Sequence, residues 1–352
     1  MAHRTTGSGP RELVLALPSK GRLYDATARF FEGAGLVIAS TYGRQYTAEL
    51  RGVEGWKVLF QRAEEITETV GSGTADLGLT GLDFFNEDPG HQDRLLLIIE
   101  RLGYGFANLV VAIPEHWIDV ETVEHLGDLA ISFRLSKGRP LRIATRFPNL
   151  TRRFLEDHEI SDYVLVHSAG ALESSPSAGV ADLIVDLTST GTTLTENKLR
   201  ALRDGTVIRS QACLFGSRQI GELEPRLMER LTTLLDRIEA RLLANETVLA
   251  MVAGRKLNVA ELVHYCLGAS MRISVGAPPE GLKVPSIQEL QQLAWITCSV
   301  SAINEVTRRV RQYGAEQVLV MQPAYAFLSE VNASRRLRQL LRHTAATDPV
   351  EP

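Results

Sequence analysis

Short apolar runs alternate with helical patterns along most of this 352-residue chain. LVLALP (Leu13–Pro18), WKVLFQR (Trp56–Arg62) and NLVVAIP (Asn108–Pro114) have the length of buried strands, and amphipathic segments separate them. One amphipathic helix is predicted over Asp25–Leu36, and another is expected to begin near Asn149, a residue type that suits an N-cap. Strands that alternate with helices favour parallel pairing, because a parallel connection needs a crossover long enough to hold a helix. The pattern therefore predicts an α/β fold with largely parallel sheets.

The pattern changes after Cys213. Residues 222–243 predict a long amphipathic helix, and LAWITCSV (Leu293–Val300) begins a strand–helix–strand order near the end of the chain. That order predicts a small separate α+β domain. A loop inside it is marked by Pro278, Pro279, Gly281 and Pro285.

Composition excludes several classes of protein. The net charge is −4, from 38 basic and 42 acidic residues, so electrostatics give no reason to expect nucleic-acid binding. No run of about 18 uncharged apolar residues is present, and the N-terminus lacks the apolar run of a signal peptide, so we expect no membrane span. The three cysteines, Cys213, Cys266 and Cys298, are odd in number and widely spaced, which favours a reducing, cytoplasmic compartment over a disulfide framework or a zinc site.

The most informative segment is ADLIVDLTSTGTTL (Ala181–Leu194). Its apolar run predicts a buried strand, Asp186 stands at the carboxyl end, and a hydroxyl-rich loop with one glycine follows. In open α/β sheets ligands bind beyond the carboxyl ends of strands, and N–H groups at a helix start hold phosphates. The segment therefore predicts a phosphate site, and a generic turn is the alternative. The loop consists of Thr188, Ser189, Thr190, Gly191, Thr192 and Thr193.

The sequence VDLTSTGTTL (Val185–Leu194) resembles the phosphoribosyl-pyrophosphate loop of one family, the ATP phosphoribosyltransferases. Four further segments are similar to other signatures of that family and occur in the same order. They are LPSKGRL (Leu17–Leu23), ADLGLTGLD (Ala75–Asp83), RLGYGFANLVVAIP (Arg101–Pro114) and RIATRFPNLTRRF (Arg142–Phe154). The likeness covers about Leu13 to Phe215, and five segments in one order are far more specific than any one of them.

The resemblance implies a two-lobed catalytic core of the periplasmic-binding-protein type II kind. GLKVPSI (281–287), LAWITCSV and QYGAEQVLVMQPAYAF resemble the C-terminal ferredoxin-like (ACT-like) α+β domain of the family's long form. The expected division is a disordered leader 1–12, lobe I 13–106 with 202–221, lobe II 107–201, a regulatory domain 222–334 and a tail 335–352.

The resemblance also implies the reaction. The family transfers the 5-phosphoribosyl group from phosphoribosyl pyrophosphate to N1 of ATP and releases pyrophosphate, the first step of histidine biosynthesis. Mg²⁺ is implied as the cofactor, and Leu187 stands where many phosphoribosyltransferases carry a second acid, which leaves the metal mostly to the substrates. No side chain is assigned as a metal ligand.

Regulation and assembly are further implications. The long form implies feedback inhibition by histidine and a homo-oligomer, as dimer and hexamer. Residues 245–279 depart from the family's patterns, so the histidine pocket has no assigned position. A purely structural or oligomerising C-terminal domain is the alternative.

The same resemblance assigns the site. Asp186, Arg22 and Lys20 are expected to be the catalytic residues. Asp186 would hold the ribose hydroxyls, and the loop 188–193 would hold the 5′-phosphate. The residues expected to bind ATP are Lys20, Gly21, Arg22, Arg62, Thr80, Gly81, Asp83 and Glu173.

Several of these residues have an alternative interpretation. Gly81 is expected to adopt a positive φ or to allow close approach of a ligand. Asp83 is either a helix cap or a substrate contact, and Glu173 is either a purine or ribose contact or a surface charge. His167 is expected to be structural. The planar fork of arginine suits phosphate oxygens, and the alternative for Arg146, Arg152 and Arg153 is solvated surface charge.

Two other functions are compatible with a two-lobed fold, since fold alone does not fix function. One is a non-catalytic sensor that binds a nucleotide or an amino acid; it would tolerate loss of Asp186 or of the loop, and this chain keeps both. The other is a phosphoribosyltransferase that acts on another base, which the complete set of signatures disfavours.

Overall fold

The structure is a computed structural model of the chain, and it describes residues 11–39, 46–88, 90–166, 172–269, 271–275, 292–327 and 332–347. Several expectations therefore lie wholly or partly outside the described residues: most of the leader, the end of the tail, His167, the segment GLKVPSI and the loop from Pro278 to Pro285.

Strands alternate with helices through most of the described chain. The strands are β1 (Leu13–Pro18), β2 (Val37–Ala39), β3 (Thr47–Arg51), β4 (Trp56–Gln61), β5 (Leu77–Gly81), β6 (Leu95–Ile99), β7 (Ala107–Pro114), β8 (Leu141–Thr145), β9 (Tyr163–Val166), β10 (Leu183–Thr188), β11 (Leu199–Ser210), β12 (Ala212–Ser217), β13 (Thr247–Gly254), β14 (Arg272–Val275), β15 (Gln292–Ser299) and β16 (Gln317–Met321). The α-helices are α1 (Gly21–Gly33), α2 (Ile66–Gly71), α3 (Leu82–Glu87), α4 (His91–Arg94), α5 (Val123–Lys137), α6 (Pro148–Asp157), α7 (Thr192–Glu196), α8 (Pro225–Glu246), α9 (Val259–Gly268), α10 (Ile303–Gln312) and α11 (Asn332–Thr347).

Lobe I is built on a seven-stranded sheet in the order β2-β3-β4-β1-β5-β12-β6. β1 pairs in parallel with β4 and with β5, and β12 runs antiparallel to β5 and β6. Leu13, Leu15 and Leu17 of β1 are fully buried. A near-continuous apolar run of this kind is what a central parallel strand requires, because both of its faces are covered.

Lobe II is built on a five-stranded sheet in the order β11-β7-β10-β8-β9. β10 is parallel to β8 and antiparallel to β7. Leu183 and Val185 of β10 belong to a buried core that also contains side chains of α5 and α6, such as Leu126 and Leu155. This packing holds β10 rigidly, so the residues at its carboxyl end have a defined position.

The chain passes from the first sheet to the second between β6 and β7, and returns between β11 and β12. The expected lobe boundary after residue 201 is corrected by this topology, since it falls inside β11. β11 pairs with β7 from Leu199 opposite Pro114 to Ser210 opposite Ala107. Residues 202–210 therefore belong to the sheet of lobe II. The two-lobed α/β core itself is confirmed.

The third sheet has four strands in the order β14-β15-β13-β16, all antiparallel. α9 connects β13 to β14, and α10 connects β15 to β16. Buried Leu262 of α9 and Val306 of α10 pack with Val252 and Ile296 of the sheet. A βαββαβ order with one face covered by two helices confirms the predicted ferredoxin-like domain.

The chain folds into two compact units. Phe31–Leu36 and Thr232–Arg335 form one unit, and the rest of the described chain forms the other. The division falls inside α8, after Leu231. The ferredoxin-like sheet thus belongs to a different unit from the two lobes.

Two local expectations differ from the structure. The first helix is predicted over Asp25–Leu36 and begins four residues earlier, at Gly21. Asn149 is predicted to cap α6, and that prediction is wrong: α6 begins at Pro148, and Phe147 occupies the N-cap position. Proline suits a first helical position because its missing N–H would have no intrahelical partner there. None of the helices in the described ranges is long and apolar enough to cross a membrane.

We expect Gly314→Ala to destabilise the ferredoxin-like domain. Gly314 has φ +90, and an added Cβ would collide with the carbonyl group of Lys256. A side chain in this conformation costs about 1–3 kcal/mol, so the free energy of unfolding in urea, followed by circular dichroism, should fall by that amount. Gly268→Ala is the matched control, because Gly268 lies in open space at the end of α9, and it should shift stability by no more than about 1 kcal/mol. An unchanged urea midpoint for Gly314→Ala would contradict the strained turn.

Candidate active site

Asp186 lies in β10, at the edge of lobe II where that strand ends. Its side chain is buried, with 3% of the residue exposed. The carboxylate accepts a hydrogen bond from the backbone N–H of Leu187 at 2.9 Å and lies 3.4 Å from the guanidinium of Arg146. Burial raises the pKa of Asp186, and the negative charge of Glu173 adds to the rise, while the Leu187 N–H and Arg146 oppose it. Two predicted site residues, Asp186 and Glu173, are therefore close together.

The hydroxyl-rich loop follows Asp186 and leads into the short helix α7. Gly191 occupies the N-cap position with φ 78, a conformation that favours glycine. Its N–H donates to the hydroxyl of Thr188 at 2.9 Å, and the hydroxyls of Thr190 and Thr192 are 2.9 Å apart. Ser189, Thr190, Thr192 and Thr193 are exposed to solvent. The loop therefore presents several hydroxyl donors at one edge of the sheet, in the form that an oxyanion requires.

A cleft of about 590 Å³ lies beside this loop; its lining comes mostly from lobe I, with Leu187 from β10, and does not include Asp186 or residues 188–193. Arg22 in the first turn of α1 spans the cleft, and its Nη1 donates to the hydroxyl of Ser189 at 2.5 Å. Asp25 and Arg29 follow on the same side of α1 and also line the cleft. One basic side chain from lobe I thus already reaches the loop of lobe II.

The carboxyl end of β5 forms another wall. Gly81 lines the cleft with φ −73, so of its two expectations the positive φ is wrong, and the close approach of a ligand stays a prediction. Position 81 has no room for a side chain, because a Cβ there would collide with the carboxylate of Asp83. Thr80 is fully buried, and its hydroxyl donates to the carbonyl of Ala63 at 2.9 Å. The Thr80 side chain therefore supports the wall from behind.

Asp83 lies at the floor of the cleft with 3% of the residue exposed. It is not the N-cap of α3, because Gly81 occupies that position. Its carboxylate accepts the N–H of Phe84 at 2.8 Å, and its own N–H donates to the hydroxyl of Ser210 at 3.1 Å. Burial raises the pKa of Asp83, and hydrogen bonds from Phe84 and Ser210 oppose the rise. Asp83 is therefore a buried acid with one face on the cleft.

Other predicted residues lie outside the cleft walls. Lys20 and Arg62 are exposed, one just before α1 and the other at the end of β4, and Gly21 is the first residue of α1. Arg152 donates to the side chain of Asn149 at 3.2 Å, on the exposed side of α6. Arg153 follows it on the same helix.

Some residues of the cleft have no assignment from the sequence: Asp25, Arg29, Phe106 and Ser210. The helical spacing from Arg22 could have identified Asp25 and Arg29, since they follow at three and seven residues. Ser210 reaches Asp83 from 127 residues away and carries no local signal. Phe106 is 64% exposed, which is unusual for phenylalanine.

The carboxyl groups of this site do not converge on one point. No group of three or more His, Cys, Asp or Glu side chains that could hold a metal occurs within the part of the chain that the structure describes. The arrangement suits the binding of anions by hydroxyls, N–H groups and arginine, with buried carboxylates available to accept hydrogen bonds from ligand hydroxyls or amines.

Several known proteins are similar to this chain in sequence. A family model described as HisG, ATP phosphoribosyltransferase, matches residues 62–240. The ATP phosphoribosyltransferase of Bradyrhizobium diazoefficiens is 39% identical over 330 residues, which cover 94% of this chain and 98% of that protein. The one from Brucella suis is 46% identical over 209 residues, 59% of this chain and 90% of that protein. A solved ATP phosphoribosyl transferase (HisG:HisZ) complex from Thermotoga maritima aligns with a TM-score of 0.48 and 24% identity, over 64% of this chain and 96% of that chain.

The raised pKa of Asp186 predicts that Asp186→Asn stabilises the unliganded protein at pH 7. Above the folded-state pKa the buried carboxylate is ionised at a cost in free energy, which a neutral amide avoids. As the pH falls through the raised value towards the ordinary 3.8, the folded protein takes up a proton and the difference should shrink. Chemical denaturation of both proteins at several pH values measures it.

Asp182→Asn is the matched control with the opposite sign. Burial alone would raise the pKa of Asp182, but hydrogen bonds from Arg139 and Arg142 outweigh it and hold the pKa far below the usual range. That carboxylate stabilises the fold above pH 3.8, so its replacement should destabilise at pH 7. Equal destabilisation by both variants at pH 7 would show that the pKa of Asp186 is not raised.

Proposed function

The chain belongs to the ATP phosphoribosyltransferase family, whose enzymes catalyse the first step of histidine biosynthesis, and we propose that it transfers the 5-phosphoribosyl group from phosphoribosyl pyrophosphate to N1 of ATP with release of pyrophosphate. The observation that carries the proposal is the hydroxyl-rich loop after Asp186, faced by Arg22 from the opposite lobe at 2.5 Å from Ser189. A sugar phosphate needs both an anion cradle and an acceptor for its hydroxyls, and both occur here within residues 186–193.

The sugar donor would bind on lobe II. Its 5′-phosphate would accept hydrogen bonds from the hydroxyls and N–H groups of Thr188, Ser189, Thr190, Gly191, Thr192 and Thr193. The carboxylate of Asp186 would accept hydrogen bonds from the ribose hydroxyls, helped by Arg146, which favours its ionised form. Glu173 would lie beside the ribose or the purine, since its charge is close enough to raise the pKa of Asp186.

ATP would enter from lobe I. Arg22, with Lys20 and Arg62 at the exposed rim, would attract the triphosphate or the leaving pyrophosphate, because arginine and lysine bind phosphate oxygens well. Gly21 and Gly81 would let the ligand approach the backbone. Asp83 would accept a hydrogen bond from the nucleotide, while Thr80 keeps the end of β5 in place through Ala63.

The transfer breaks the bond between C1 of the ribose and the pyrophosphate oxygen, and forms a bond from N1 of the purine to C1. Positive charge develops on the ribose and negative charge on the leaving group. N1 supplies a free lone pair, so no strong general base is needed. Lys20, Arg22 and Asp186 would act as catalytic residues by placing two anions and by stabilising these charges. Mg²⁺ would arrive bound to the pyrophosphate oxygens, as part of the substrate.

The C-terminal domain supports a proposal about regulation. Its ferredoxin-like fold, residues 247–321, suits a ligand-responsive module, and we assign to it feedback inhibition by histidine and a part in assembly into dimers and hexamers. The enzyme would work in the cytoplasm, where all three cysteines stay reduced; they are buried and free.

Asp186→Asn should lower kcat/KM by about 100-fold or more, because the amide accepts hydrogen bonds more weakly and carries no charge opposite the ribose. The assay mixes ATP, phosphoribosyl pyrophosphate and Mg²⁺, and measures pyrophosphate together with the nucleotide product separated by chromatography. Asp157→Asn, at an exposed position at the end of α6, is the control and should retain full activity. Tight nucleotide binding by the wild-type chain without turnover would instead identify a sensor.

Histidine added to the same assay should reduce the initial rate, and lysine at equal concentration should not. The expected reason is that the ferredoxin-like domain binds histidine in a conformation that disfavours transfer. A rate that is indifferent to histidine across the concentration range would leave this domain with a structural or oligomerising role, and the regulatory proposal would be wrong.

A further inference from the structure

Glu87, the last residue of α3 in lobe I, contacts the first turn of α6 in lobe II. One carboxylate oxygen accepts the N–H of Asn149 at 2.8 Å, and the other accepts the N–H of Leu150 at 2.9 Å. The side-chain amide of Asn149 donates in return to the carbonyl of Glu87 at 3.0 Å. Three hydrogen bonds around one residue therefore join the two lobes.

The contact satisfies a need of α6. The first N–H groups of a helix have no intrahelical partner, and Phe147 at the N-cap position has no side-chain group that can accept them. A carboxylate supplies two acceptors and a negative charge near the positive end of the helix dipole. Phe84 of α3 also packs on Phe147, with ring centroids 5.1 Å apart. Lobe I thus caps a helix of lobe II.

The two helices joined here adjoin the proposed binding residues of the two lobes. α3 follows Gly81 and contains Asp83, and both of these lobe I residues line the cleft. α6 follows Arg146, whose guanidinium lies 3.4 Å from Asp186 on lobe II. A change in the distance between α3 and α6 would therefore change the distance between the proposed binding sites for the two substrates.

We propose that Glu87 is a positioning residue that holds the two lobes at the separation needed for transfer, without contacting either substrate. This proposal rests on the proposed function, in which ATP and the sugar donor bind on different lobes. Reacting groups held in place for attack lose rate steeply when they are displaced by even 1 Å. Loss of the hydrogen bonds of Glu87 is thus expected to lower kcat more than it changes KM.

Two variants test the role in catalysis. Glu87→Gln keeps the size of the side chain but turns an NH₂ group towards one N–H of α6, so it loses one hydrogen bond and the charge; Glu87→Ala loses both bonds. We expect kcat to fall about ten-fold for Glu87→Gln and about 100-fold for Glu87→Ala, with both KM values within about three-fold of wild type. If Glu87→Ala fails to fold, Glu87→Gln decides.

A second measurement reads the lobe separation directly. Spin labels on Lys57→Cys in lobe I and Leu135→Cys in lobe II, both exposed positions, give a distance distribution by pulsed electron resonance. The native cysteines are buried, so they should not be labelled. The distribution should be narrow with Glu87 present and should broaden or shift in both variants.

Glu124→Gln is the matched control, because it removes the same charge from an exposed position in the first turn of α5. It should change neither kcat nor the distance distribution. A kcat within about two-fold of wild type in both Glu87 variants, or an unchanged distribution, would overturn the proposal. A wild-type chain without transferase activity would refute the proposed function, and the distance distribution would still decide whether Glu87 holds the lobes together.

Discussion

The carboxylate of Asp186 is buried at the end of β10, and burial opposes its negative charge. Its position is set by the strand register, in which Asp186 lies opposite Val110 of β7. A shift of one residue would exchange the faces of the sheet on which Asp186 and Leu187 lie, and would turn Asp186 towards the core formed with α5 and α6. The hydroxyl-rich loop begins where this strand ends, so its place also depends on the register. The packing of the apolar residues of β10 therefore holds the Asp186 carboxylate in a buried position, where its negative charge is disfavoured.

Contacts between the lobes make one site from two sheets. Arg22 reaches the loop of lobe II directly, whereas Glu87 acts behind the cleft, on the first turn of α6. The two contacts differ in what a ligand does to them. A phosphate that binds the loop competes for the hydrogen bond between Arg22 and Ser189, so this contact can be exchanged for one with the ligand. The hydrogen bonds of Glu87 have no such competitor and can persist through the reaction.

Local sequence predicted the strands, loops and helices well, but it did not predict the distant residues that pair with them. The apolar run before Asp186 and the glycine at 191 are local signals, and both β10 and the loop lie where they were predicted. The end of lobe II was placed too early because β11 owes its length to pairing with β7, about ninety residues away. The cap of α6 was assigned to Asn149 because that residue type is a good cap, but the acceptor is Glu87, 62 residues earlier. Such long-range partners leave no periodicity and no motif.

Two aspartates four residues apart differ in how well their charges are compensated. Asp182, just before β10, receives hydrogen bonds from Arg139 and Arg142, so its charge is well compensated and its pKa is low. Asp186, in the last half of the same strand, has Leu187 and the exposed Arg146 as its hydrogen-bond partners among the described residues, and its pKa is raised. The proposed function accounts for the difference. If Asp186 accepts hydrogen bonds from the ribose, it must keep its acceptor sites open, and the cost of its burial is offset only when the ligand binds.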